Sequence, residues 1–191
     1  TVPAEKIVYR DVPADMICRA YHIGSLTDDT FPACDLLTDI LANGKSSRFY
    51  RDVVSRHAGF SSLDACVQGL FDPGLLLITA RLTGDTDPRQ ADEHIQRQID
   101  KLVTDGVSTY ELQKCLNKYE TTSALENLGY QARARQLCMA ELLGDANRVN
   151  TLIDCYRRVT PDDIVQTAHK VLSEQNCSTL YYLRTKAAAE R

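Results

Sequence analysis

Apolar positions alternate with a period of two at the start of the chain, recur at helical spacing, alternate again, and then become almost wholly helical. Lys6 to Arg10 reads as a short strand, and Val12-Pro13-Ala14-Asp15 turns the chain. Met16 to His22 alternates, with Met16, Cys18 and Ala20 on one side and Ile17, Arg19 and Tyr21 on the other. Ala33, Leu36, Leu37, Ile40 and Leu41 then form a helical stripe. Asp28, Asp29 and Thr30 stand before it as N-cap candidates, Pro32 sits in its first turn, and Asn43-Gly44 closes it. Ser46 or Ser47 caps a short helix to about Arg56. Alternation returns from Ser61 to Gln68, where Leu63, Ala65 and Val67 share a face. Phe71-Asp72-Pro73-Gly74 is a turn signal, and Leu75 to Leu82 is apolar on both faces, as a central strand is. These two strands are expected to form an antiparallel hairpin.

Beyond Gly84 the period is helical. Asp87-Pro88 pairs an N-cap with a first-turn proline, and Ala91, Ile95, Ile99 and Leu102 form a stripe that Gly106 ends. Ser108-Thr109-Tyr110-Glu111 is a capping box: the serine accepts from an orphan amide and the glutamate reaches back. Leu112, Cys115, Leu116, Tyr119 and Ser123 follow, Gly129 interrupts, and Ala134, Leu137, Cys138, Glu141 and Leu142 continue to Gly144. Val149, Leu152, Ile153 and Tyr156 mark another helix. Thr160 opens the last, which carries Ile164, Val165, Ala168, Val171 and Leu172, and Cys177 to Leu183 is a final strand. The order ββααββ, four or five helices, then β predicts an α+β fold: a mostly antiparallel sheet with helices on one face. One domain is expected over 1–191, with its core in 5–184 and a frayed tail at 185–191.

Composition narrows the partners. The chain has 191 residues, 43% hydrophobic and 25% charged, and a net charge of -4. A chain of this size can bury a sizeable core without staples. The longest basic run is Arg157-Arg158, so no nucleic-acid footprint is present. The longest apolar run, Gly74 to Ala80, falls far short of the roughly 18 residues of a membrane span. Seven cysteines, an odd number at wide spacing without C-x-x-C, are expected to act mainly as small buried hydrophobes. That favours a reducing cytoplasm and leaves the periplasm open. The chain starts at Thr1 without a signal-like segment, which reads as processed or cut from something longer.

Candidate chemistry is sparse. His22, His57, His94 and His169 are far apart, whereas a zinc helix needs two ligands one turn apart, as in H-E-x-x-H or H-x-x-E-H. Each is expected to be an exposed or hydrogen-bonded histidine. No Gly-x-Ser-x-Gly elbow occurs. Gly44-Lys45-Ser46-Ser47 ends like a phosphate loop but lacks the upstream glycine and lies between two helices, which reads as a turn. A His57–Cys66 nucleophile pair has no motif behind it.

Four segments carry a resemblance. Leu36 to Tyr50 is a helix, a glycine turn and Ser-Ser-Arg; Ser108 to Leu116 starts a helix on Glu-Leu; Arg133 to Gly144 has an Ala-x-x-Leu…Gly pattern; and Val159-Thr160-Pro161-Asp162-Asp163-Ile164 precedes the last helix. In order and spacing, over about residues 5–184, they resemble the insulinase/pitrilysin-type (inverzincin) zinc peptidases, specifically the non-metal-binding C-terminal domain. The resemblance implies a clamshell of similar α+β domains. One half holds zinc on H-x-x-E-H, and this half helps bind substrate through an Arg and a Tyr seven apart. Aligned without gaps, those positions hold Val54 and Ser61; a shift of one puts Phe60 in the tyrosine's place. Arg51 or Arg56 is then the substitute cation. The implied substrate-binding residues are Arg51, Arg56, Phe60 and Ser61, with no catalytic or metal-binding residue in this chain and zinc only in a partner domain. Losing a phenol and a guanidinium removes two donors that stabilise a developing oxyanion. Two functions follow: a non-catalytic half of a peptidase, partnered by an insulinase-type domain and a peptide or unfolded polypeptide, or a metal-free scaffold or interaction domain. Strand addition at the edge near Phe60 to Gln68 would serve the first.

Overall fold

The alternation in Met16–His22 is the key to the sheet: Ile17, Arg19 and Tyr21 point to the core, while Met16, Cys18 and Ala20 are half-buried on the other face. A computed structural model describes residues 3–56 and 59–185. His57, and with it the His57–Cys66 pairing, lies outside them, as does the expected tail beyond Thr185. The strands are β1 (Ala4–Arg10), β2 (Met16–His22), β3 (Phe60–Gln68), β4 (Leu75–Leu82) and β5 (Cys177–Arg184), arranged β1-β5-β2-β4-β3. Only the β1–β5 pair is parallel; β2–β5, β2–β4 and β3–β4 are antiparallel. The expected α+β class holds, and so does the hairpin. Gly74 closes that hairpin because a Cβ there would lie 2.2 Å from the Gln68 carbonyl oxygen.

The helices are α1 (Phe31–Ala42), α2 (Pro88–Asp105), α3 (Thr109–Glu126), α4 (Tyr130–Leu142), α5 (Arg148–Arg157) and α6 (Pro161–Val171). In α1, Leu36, Leu37, Ile40 and Leu41 are at most 2% exposed, as are Ala91, Ile95, Ile99 and Leu102 in α2. Each fully buried Ile or Leu contributes about 1.5–3 kcal/mol, so these two stripes bind the helices to the sheet. Asp87 accepts from the Arg89 amide at 2.9 Å, and both capping boxes, Ser108/Glu111 and Thr160/Asp163, are formed.

Three expectations change. Leu75 and Leu77 of β4 are half-buried, because the strand is internal to the sheet but helices cover one face alone. The apolar residues expected to seat α4 point outward. Ala134, Leu137, Cys138, Glu141 and Leu142 are exposed, and Ala140 is the buried residue. Alternative stripes run along that helix, and packing, not local pattern, chose between them. Of the seven cysteines, all free thiols, Cys34 and Cys115 are buried, Cys18, Cys155 and Cys177 are half-buried, and Cys66 and Cys138 are exposed. Burial pushes the Cys34 thiol up to about 12 and the Cys115 thiol up to about 11.

Candidate functional site

The stretch from Gly44 to Ser61 carries the residues singled out by sequence, and local chemistry sets its course. Gly44 has φ +86°, the left-handed turn that lets the chain reverse after α1. Its neighbours are therefore a helix-to-helix turn, and Lys114 Nζ reaches across to Ser46 Oγ at 3.0 Å. Arg48, the arginine of Ser-Ser-Arg, turns inward and is 8% exposed. Its Nε and Nη2 donate to Glu111 Oε1 and Oε2 at 3.1 and 3.0 Å, and Nη2 also donates to the Gly106 carbonyl at 2.7 Å. Burial alone raises the Glu111 carboxyl, but Arg48 and Ser108 outweigh it and hold it below its usual range. This motif therefore locks the α1 turn to the start of α3.

Tyr50–Val54 continues as a π-helical turn, a rare form that recurs at functional sites. Arg51 is exposed and pairs with Asp52 at 2.8 Å, and Arg56 lies 3.6 Å from the same carboxylate. Val54 is half-buried against the core. Phe60 is 6% exposed, a core side chain at the foot of β3. Between Phe60 and Ser62 the β3–β4 register shifts, leaving Ser61 as the extra residue of a bulge, exposed, with Oγ donating to the Arg81 carbonyl at 3.2 Å. The bulge puts Phe60 and Leu63 on the same buried face, which strict alternation does not allow. Arg56 and Phe60 meet at the rim of one hollow of about 590 Å³ shared with Asp85, Asp87 and His94, while Arg51 faces another with Arg48 and Lys114. Ser61 lines neither of these two.

A second constellation escaped the sequence. Arg19, 7% exposed, makes a two-pronged pair with Asp92 of α2 at 2.7 and 2.8 Å and donates to Gln96 Oε1 at 2.6 Å and Tyr21 Oη at 3.3 Å. Tyr181 donates to Asp92 at 2.9 Å, and Arg89 lies over the Tyr181 ring at 4.4 Å while pairing with Glu5. Burial opposes the charge on Arg19, but Asp92 and Tyr21 overcome it and raise its pKa. The signal was present: a charged residue on the buried phase of β2, between Ile17 and Tyr21. A third group joins α1 to α5, where Tyr156 donates to Asp35 at 2.8 Å and stacks on Tyr119 with ring centres 3.7 Å apart. Burial raises the Asp35 carboxyl and pushes the Tyr119 hydroxyl up to about 12.

Among the described residues no three His, Cys, Asp or Glu side chains converge to hold a metal ion. His22 and His169 are exposed and His94 is half-buried. Among the described residues the donor set does not fit zinc. No helix among the described residues is long and apolar enough to cross a membrane.

The profile of the peptidase M16 inactive domain matches residues 2–119, and the chain belongs to that family, the non-metal-binding half of insulinase-type zinc peptidases. No curated protein matches it. Among solved structures it is similar to a protease from Helicobacter pylori (17% identity, TM-score 0.87, 93% of this chain and 43% of that one). It is also similar to an inactive peptidase domain from Bordetella parapertussis (23% identity, TM-score 0.83, 93% and 95%). A peptidase M16 inactive domain from Pseudomonas fluorescens gives 14% identity and a TM-score of 0.77, over 96% and 44%. Identities this low establish the fold alone. The chain spans less than half the length of the Helicobacter and Pseudomonas proteins and nearly all of the Bordetella domain.

Proposed function

We propose that this domain is the non-catalytic half of a zinc-metallopeptidase-like assembly, walling a peptide-binding chamber opposite a separate H-x-x-E-H domain that carries the zinc. The observation that supports it most directly is the outer edge of β3. It is the last strand of the sheet, no other strand among the described residues pairs with its outer side, and Ser61, Asp64, Cys66 and Gln68 along it are exposed. An extended peptide can add to such an edge through main-chain hydrogen bonds. In this reading Arg56, beside Phe60, supplies a cation near the foot of that edge, Arg51 contributes through the Asp52 carboxylate that both arginines share, the Ser61 hydroxyl sits at the bulge, and Phe60 holds the strand to the core.

The pair of positions where the family's Arg and Tyr fall favours a second reading. Val54 carries no charge, Ser61 carries no phenol, and the domain then serves as a metal-free scaffold or protein-interaction module. One experiment separates the two. The domain is combined with its paired domain, and cleavage of an unfolded polypeptide is followed with and without it. In the first reading the pair carries H-x-x-E-H, cleavage needs both halves, and Ala65→Pro in β3 raises KM several-fold by disturbing the edge. A paired domain lacking H-x-x-E-H, or cleavage indifferent to this domain, leaves the scaffold.

A further inference from the structure

Away from the sheet edge, α3, α4, α5 and the start of α1 line a half-open groove of about 400 Å³, within the range of small-molecule sites. The stacked Tyr119 and Tyr156 form part of its wall, and Phe31, Met139, Leu152 and Ile153 supply apolar surface. Two small side chains, Ser123 of α3 and Ala140 of α4, also line it. Its charged residues are Arg135, Arg148 and Glu126, two cations against one carboxylate. Arg148 donates to the Leu26 carbonyl at 3.3 Å and pairs with no carboxylate among the described residues. Arg135 is exposed and makes no hydrogen bond or ion pair among the described residues. The hollow at Arg48 and Arg51 has a polar rim of paired acids and bases, whereas this one joins apolar walls to guanidinium groups without a carboxylate partner, and it borders a more polar hollow that shares Arg148 and is lined by Asp28, Asp29 and Lys170.

We propose that this groove binds a single-chain amphiphile with an anionic head, of the free fatty-carboxylate class. The chain lies among Tyr119, Tyr156, Met139 and Ile153, and the carboxylate meets Arg135 and Arg148. The apolar wall supplies most of the affinity, and the guanidinium groups select the head over an uncharged or cationic one. This site is independent of the peptidase reading, because it uses no residue of the β3 edge.

The chain contains no tryptophan, so Met139→Trp introduces a single fluorescent reporter in the wall. A fatty acid brominated at its far end should quench it saturably at one equivalent, below its micelle concentration. Laurate should compete, with dodecanol and dodecyltrimethylammonium at least fivefold weaker. Calorimetry of laurate with the unaltered chain should give the same one-to-one stoichiometry, which keeps the test valid if the tryptophan variant fails to fold. Arg135→Glu should weaken laurate about fivefold, the effect of one partly exposed ion pair, and leave dodecanol unchanged. Ser123→Leu, which fills the space, should lower laurate affinity at least tenfold in a folded protein. The proposal is overturned by absence of saturable laurate binding to the unaltered chain, by dodecanol binding as tightly as laurate, or by undiminished binding to folded Ser123→Leu. Laurate failing while a peptide of the paired domain occupies the groove would assign it instead to a protein side chain.

Discussion

Asp92→Ala should be among the most damaging single substitutions in the chain, although Asp92 lies outside the apolar core. Arg19 and Asp92 have side chains only 9% and 15% exposed. Removing the carboxylate strands a guanidinium behind α2 and leaves the Tyr181 hydroxyl without its acceptor. Gln96 Oε1 stays on Arg19 but carries no charge. Breaking one side of such a buried pair costs about 3–5 kcal/mol. In a domain of this size that lowers Tm by about 6–20 °C, at about 2–4 °C per kcal/mol. With a urea m-value of about 3 kcal/mol/M, the midpoint falls by about 1–1.7 M. Far-ultraviolet circular dichroism through a urea series measures it. The double variant Arg19→Met/Asp92→Leu replaces the pair with apolar side chains and should recover most of the loss, because the desolvation of two charges disappears with them. An Asp92→Ala loss under about 1 kcal/mol, or a double variant as unstable as the single, would refute the claim that the unpaired buried charge is what hurts.

Two further outcomes follow from local chemistry. The Asp35 carboxyl is raised by burial, so its contribution to stability is fully present below the ordinary aspartate pKa and is lost as pH rises through the higher folded value. Asp35→Asn keeps an acceptor for Tyr156 without the charge and should gain on the wild type between pH 3.5 and 8, over roughly the interval in which an aspartate titrates and beyond; parallel urea curves across that range test it, and a constant gap between the two proteins would contradict it. Ser108→Ala removes the side chain that accepts from the Glu111 amide at 3.2 Å and should cost about 1 kcal/mol. Thermal melts should show a fall of about 2–4 °C, with no fall telling against the capping role.

Much of the fold was legible because its causes are local. The apolar spacing of Ala91, Ile95, Ile99 and Leu102 and the capping serine and threonine at positions 108 and 160 act within a turn or two, so α2 and the starts of α3 and α6 could be read from neighbours in the chain. The alternation of β2 sorted its residues onto two faces, the structure decided which of them lies inward, and motif order led to the family. The absence of paired histidine spacing was equally a matter of near neighbours. Tertiary structure alone decided that β5, the last strand, slips between β1 and β2, since β pairing joins residues more than 150 positions apart and leaves no local trace. It also decided which stripe of α4 faces the core, where both choices were apolar enough, and it made Ser61 a bulge that turns Phe60 inward. The Arg19–Asp92 pair spans 73 positions. Sequence could mark a charge on a buried phase, but its partner depended on how α2 crosses the sheet.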